Sequence, residues 1–146
     1  MLKRLDLSIG ALAERSGCNV PTIRYYEAIG LLPKANRNPG GRRIYANDDQ
    51  RRLTFVRRCR DFGFSIEKVR ALVRLTQAIG GDCVDARDMA QAQVKIVRLK
   101  LTELHALEAT LIGLVDQCDA SCAGGPSADC VIFDKLTDTK SSSCCG

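Results

Sequence analysis

From Asp85 to about Gln117 the chain contains no proline and no glycine before Gly113, and strong helix formers dominate the stretch. It reads as one continuous helix, which at about 1.5 Å per residue extends on the order of 50 Å, too long for a small domain to cover. Val94, Val97, Leu101, Leu104, Leu111 and Val115 recur in steps of three and four, interrupted only by Glu108, and form the seam of a coiled coil. Leu107 and Leu114 add a second apolar row. A single helix leaves both rows in water, so the pattern calls for a partner. Two identical chains would cover them, in an orientation that the heptads leave open.

The residues before this helix are basic. Residues 1–80 hold 16 Lys and Arg against 7 Asp and Glu, whereas residues 81–146 hold 6 against 10, within a chain of net charge +5. A basic half favours a polyanion, because Lys and Arg that neutralise phosphates release the counterions condensed on them. Leu7 to Ser16 has apolar residues at helical spacing and is stopped by Gly17; Asn19 then caps a second helix with Pro21 in its opening turn. Two short helices joined by a Gly-containing turn make a helix-turn-helix. Thr22, Arg24 and Tyr25 fall near the start of the second helix, where a helix in the major groove meets DNA, while Tyr26 suits core or DNA equally. Pro39, Gly40 and Gly41 break the chain as a hairpin wing does, placing Arg42 and Arg43 to reach the sugar-phosphate backbone. Asn47 is expected to cap a third helix, about Asp48 to Asp61, and Ser65 a fourth.

No apolar run has the length of a signal peptide core or a membrane span, so the chain is expected to be cytoplasmic. Its eight cysteines then read as reduced thiols available for metal or redox chemistry. Cys18 and Cys59 stand alone in the basic half and read as inert, buried thiols. Cys118, Cys122 and Cys130 lie in a Gly-, Pro-, Ser- and Asp-rich loop ahead of a short helix, Val131 to Leu136, and too many share one polar loop for all to be core. Cys83 precedes the long helix, and Cys144 and Cys145 lie in a Ser-rich tail as auxiliary ligands or unstructured residues. Thiolates select soft ions, and the one histidine, His105, falls on the surface of the long helix away from the loop.

The order IGALAERSGCNVPTIRYYEAIGLLP, GGRRIY and RLTFVRRCRDFGFSIEKVRALV resembles the MerR family of transcription regulators, and the likeness continues through the chain. The resemblance implies a mainly α protein: a winged helix-turn-helix DNA-binding domain at 1–80, a long antiparallel dimerisation helix at 81–117, a C-terminal metal-binding loop and short helix at 118–136, and a flexible tail at 137–146. It assigns Thr22, Arg24, Tyr25, Arg42, Arg43 and Tyr45 to DNA contact. In an antiparallel homodimer the start of one long helix meets the end of the other, so Cys83 of one subunit would join Cys118, Cys122 and Cys130 of its partner around one ion.

Family members that sense divalent ions carry a cysteine at the Cys83 position, whereas copper, silver and gold sensors carry serine there. This favours Hg, Cd, Pb or Zn over Cu(I) or Ag(I). The Cys122-AGGPSAD-Cys130 spacing and the Cys-Cys tail are instead similar to the copper type. By the same resemblance the homodimer represses a promoter whose polymerase elements are set too far apart, and metal binding bends and untwists the duplex for RNA polymerase. An iron-sulfur redox sensor needs four cysteines closer together, and a thiol enzyme needs a base or a Cys-x-x-Cys pair that the loop lacks. The expectation is therefore a regulator and no enzyme.

Overall fold

The computed structural model describes residues 6–80 and 82–138. Cys144 and Cys145 and most of the expected tail lie outside the described residues. The chain divides into two units, residues 1–93 and residues 94–146.

In the first unit, helix α1 (Ile9–Ser16) begins where the Ser8 hydroxyl accepts the Ala11 N–H at 3.2 Å. It ends at Gly17, whose φ of 66° lies in the left-handed region and where a Cβ would collide with the Arg57 guanidinium. The helix is shorter at its start than the periodicity suggests, because Leu7 is taken up by an antiparallel bridge to Tyr45, with both N–H···O distances 2.9 Å. Helix α2 (Val20–Ala28) is capped by Asn19, whose Oδ1 accepts the Thr22 N–H at 2.8 Å. Strands β1 (Asn36–Arg37) and β2 (Arg43–Ile44) pair antiparallel, Asn36 opposite Ile44 and Arg37 opposite Arg43, and form the expected hairpin.

Helix α3 (Asn47–Asp61) is capped by the residue before the expected Asn47. Ala46 holds the cap position, and its N–H donates to Asp49 Oδ2 at 2.8 Å. The Asp49 carboxylate serves the N–H of the cap residue itself, the half of a capping box that needs no polar side chain at the cap. Helix α4 (Ile66–Gln77) starts at Ser65, whose hydroxyl accepts the Lys68 N–H. Leu12, Ile23, Leu31, Leu53, Val56 and Val69 meet in one core, each at most 1 % exposed. At about 1.5 to 3 kcal/mol per buried aliphatic side chain, this cluster holds the four helices together.

Several arginines of this basic unit are committed internally. Arg57 donates to the Ser16 carbonyl at the end of α1, Arg52 to the Leu31 carbonyl at 2.8 Å, and Arg70 to the Ile29 carbonyl at 2.6 Å. Each guanidinium serves a carbonyl that a helix or turn leaves without an N–H partner. The positive charge that marks the unit in sequence thus has a structural as well as a surface share.

Helix α5 (Cys83–Ser121) is longer at both ends than the Asp85–Gln117 reading. Its first turns belong to the first unit, where Ala86 and Met89 pack against the core and Gln93 is buried, so the boundary between units falls inside α5 instead of before it. From Val94 through Ile112 every residue of α5 is exposed in the single chain. After α5 come a single 3₁₀ turn (Ser127–Asp129) and helix α6 (Val131–Thr137). No helix among the described residues is long and apolar enough to cross a membrane.

Candidate nucleic-acid interface and metal centre

Capping by Asn19 fixes the start of α2, and with it the positions of the residues expected to read DNA. Thr22 is half-buried, whereas Arg24 and Tyr25 are exposed, Tyr25 by 52 %. On the hairpin, Arg42 and Arg43 are both exposed. Arg24, Lys34, Arg37 and Arg43 line a cleft of about 400 Å³ between α2 and the hairpin, with Glu27 as its acidic member. Arg37 also braces the turn, donating to the Gly41 carbonyl at 2.7 Å. Four cations around one concavity suit a phosphate backbone, because each lowers the cost of bringing the next phosphate close.

Tyr45 requires a correction. The resemblance places it among DNA contacts, yet its side chain is 1 % exposed and belongs to the core. Its hydroxyl donates to Glu27 Oε1 at 2.9 Å, and the same carboxylate oxygen accepts the Ala35 N–H at 3.2 Å. Burial and this hydrogen bond push the phenol well above its ordinary range, so it stays a neutral donor. Glu27 thereby ties α2 to both flanks of the hairpin, and Tyr45 supports the wing from inside. Sequence reasoning missed Glu27, since a Glu within a helix carries no local mark of a partner eighteen residues away. Tyr26 resolves as core, 7 % exposed.

At the other end of the chain, Cys118, Cys122 and Cys130 place their sulfurs within 4.8 Å of one another, all half-buried. Cys118 is part of α5 and not of the loop after it, because the helix runs on to Ser121. That extension sets Cys118 and Cys122 one turn apart, with 3.6 Å between their sulfurs and the Cys122 N–H donating to the Cys118 carbonyl at 2.9 Å. The loop then turns through Gly124 and Gly125 and brings Cys130 back as the residue preceding α6.

The three thiols differ in acidity. The side-chain hydrogen bond with Cys122 comes first among the effects that hold the proton on Cys118, followed by burial and the neighbouring thiol charges, and pushes it up to about 11. Cys130 moves the other way, because the Ile132 and Phe133 N–H groups at the start of α6 stabilise its thiolate. Three soft donors in this space fit a thiophilic ion. With metal–sulfur bonds of about 2.3 Å, a tetrahedral ion needs sulfurs about 3.8 Å apart and a linear two-thiolate ion about 4.6 Å, and sulfurs held within 4.8 Å of one another can serve either.

Cys83 is exposed at the first residue of α5 and is not among the three clustered thiols. Cys59 is buried, and burial raises its thiol, which suits an inert core residue. Cys18 is half-buried. His105 is exposed along α5.

Residues 7–76 match the family model described as MerR HTH family regulatory protein, and residues 50–114 match that described as MerR, DNA binding. The chain is 39 % identical over 132 residues to the HTH-type transcriptional regulator HmrR of Rhizobium leguminosarum bv. viciae, covering 90 % of this chain and 98 % of the relative. It is 38 % identical over 121 residues to the mercuric resistance operon regulatory protein of Serratia marcescens, covering 82 % and 83 %. Among solved structures, the transcription regulator PbrR691 of Ralstonia metallidurans CH34 in complex with lead(II) aligns with a TM-score of 0.72 at 35 % identity, over 89 % of this chain and 98 % of that one.

Proposed function

The chain belongs to the MerR family of transcription regulators, and from that premise we propose that it is a metal-responsive activator that reads promoter DNA as a homodimer and answers to a thiophilic divalent ion. The observation that carries this reading is the convergence of Cys118, Cys122 and Cys130 within 4.8 Å at the end of α5. A cluster of three soft sulfurs without histidine or carboxylate is a poor site for Mg or Ca and a good one for Hg, Cd, Pb or Zn. The mercuric regulator and the lead-bound structure among its relatives support the same class of ion.

Cys118, Cys122 and Cys130 would hold the ion, and Cys83 of the partner subunit would supply a further thiolate. The apolar rows of α5, exposed in the single chain, support the homodimer. Cys83 supports the divalent reading over Cu(I) or Ag(I), because the family's copper, silver and gold sensors carry serine at that position. On the DNA side, Thr22, Arg24, Tyr25, Arg42 and Arg43 contact the operator, with Tyr45 as the support of the wing. The cytoplasm, where operator and RNA polymerase are, is the compartment this role requires. Ion binding releases protons and yields free energy that offsets the several kcal/mol, of order 1 to 6, needed to bend the promoter toward a form RNA polymerase transcribes.

A reporter fused to the protein's own promoter, challenged with Hg, Cd, Pb, Zn, Cu and Ag salts, tests the reading. Induction by at least one divalent ion is expected, with loss of most of the response in Cys130→Ser. Induction by Cu or Ag alone would overturn the divalent assignment, and induction by a divalent ion that Cys83→Ser leaves unchanged would remove Cys83 from the site.

A further inference from the structure

We infer that the Gln93 side-chain amide is the positioning contact that couples α5 to the DNA-reading unit, an inference that rests on the metal-dependent activation proposed above. Gln93 is 6 % exposed and is the one buried residue of α5. Its Nε2 donates to the Phe62 carbonyl at 3.1 Å, in the turn that separates α3 from α4. The neighbouring Gly63 has a φ of 82°, and a Cβ there would lie 3.0 Å from the same Nε2. The amide therefore rests close against the backbone of a turn whose positive φ favours glycine.

Three positions of α5 engage the first unit, Ala86, Met89 and Gln93, spaced by three and four and so on one helix face. Ala86 and Met89 make apolar contacts, which are non-directional and tolerate sliding. Only the hydrogen bond of Gln93 is directional, and it ends on a carbonyl whose place is set by the ends of α3 and α4. It holds α5 at one rotation and one height against that turn. The next residue, Val94, opens the second unit, and α5 continues without interruption to the turn that carries Cys118. A change imposed on α5, at its end by Cys118 or at its start by Cys83, meets the first unit at these three positions, and Gln93 is the last α5 residue within that unit.

Gln93 touches neither a proposed ligand nor a proposed DNA contact, so its loss separates coupling from binding. In the full-length protein Gln93→Leu keeps the apolar stem and removes the donor; Gln93→Glu keeps the length and removes the N–H. Operator affinity, Cd(II) affinity and transcription from the protein's own promoter with and without Cd(II) or Hg(II) salts are compared with the parent. Both variants are expected to bind operator and Cd(II) within about twofold of the parent while the activation ratio falls about five- to tenfold. An unchanged activation ratio overturns the inference, as does a fall matched by equal loss of operator or metal affinity, which would mark Gln93 as a packing residue.

Hydrogen exchange in the unsubstituted protein gives a second reading that does not depend on the variants folding. Cd(II) is expected to alter the protection of the Gly63 and Phe64 amides, which lie in the unit without the clustered thiols. Cd(II) binding that leaves those amides unaltered overturns the coupling. Parent protein that no divalent salt activates overturns the proposed function itself.

Discussion

The two units of this chain treat their apolar side chains in opposite ways. In the first, Leu12, Ile23, Leu53 and Val69 are fully buried by the chain's own helices. In the second, Val97, Leu101, Leu104, Leu107, Leu111 and Val115 remain between 44 % and 59 % exposed along one helix. The first unit supplies its own core, and in the proposed homodimer the second supplies half of one. Folding and association are therefore separate energetic problems here, and the proposed sensor depends on both: its thiols sit where the exposed helix ends.

The largest effect expected from this contrast comes from truncating the same residue type in each unit. Leu53→Ala should destabilise the first unit by about 2 to 5 kcal/mol, seen as a lowered melting temperature at fixed concentration. Leu107→Ala should leave the melting of the first unit in place and instead raise the concentration at which the dimer dissociates, measured by sedimentation equilibrium. A Leu107→Ala melt as low as that of Leu53→Ala would show that the second unit is part of the same cooperative core.

A smaller effect tests how the first unit aims its surface. Tyr45→Phe removes the hydroxyl donated to Glu27 and should cost about 1 kcal/mol while weakening operator binding several-fold. Because Tyr45 is placed as a support and not as a phosphate contact, the salt dependence of operator binding should keep its slope, whereas Arg43→Ala should lower it by about one unit. A Tyr45→Phe protein with wild-type affinity would remove the latch from the account of the wing.

The smallest effect separates the thiols of the two units by reactivity. At pH 7 in metal-free protein, iodoacetamide should modify Cys130 first, because the start of α6 stabilises its thiolate. Cys118, pushed up to about 11, should react slowly and speed up roughly tenfold per pH unit between 7 and 9, since only its thiolate attacks. Cys130 should gain less over that range, being closer to full ionisation at its start. Cys59 should stay unmodified until the first unit unfolds, because burial both raises its thiol and excludes the reagent. Peptide mapping by mass spectrometry reads the order, and Cys118 reacting before Cys130 would contradict it.

Most of the architecture was legible because it is written in short-range chemistry. Asn19 and Ser65 mark helix starts by accepting amides three residues on, and Gly17 ends α1 through a left-handed φ. The errors arose where a partner lies far along the chain. Leu7 pairs with Tyr45 instead of opening α1, and the Tyr45 hydroxyl turns to Glu27, eighteen residues away in sequence. The candidate site was half legible. Cysteine spacing picks out Cys118, Cys122 and Cys130, but their closeness depends on α5 continuing to Ser121, four residues beyond the Gln117 at which the sequence pattern ends.

The residues alone determined that there would be a capped helix-turn-helix with a basic hairpin, a long two-striped helix and a set of soft ligands, because capping, periodicity and side-chain softness act over a few residues or within one. Tertiary structure decided which of these groups face outward and which are spent on holding the fold. Arg52, Arg57 and Arg70 became braces for helix ends, Tyr45 turned inward, and Gln93 was buried against the Phe62 carbonyl. A side chain's role depends on the free energy of the partner it finds, and for these residues that partner is brought close only when the chain folds.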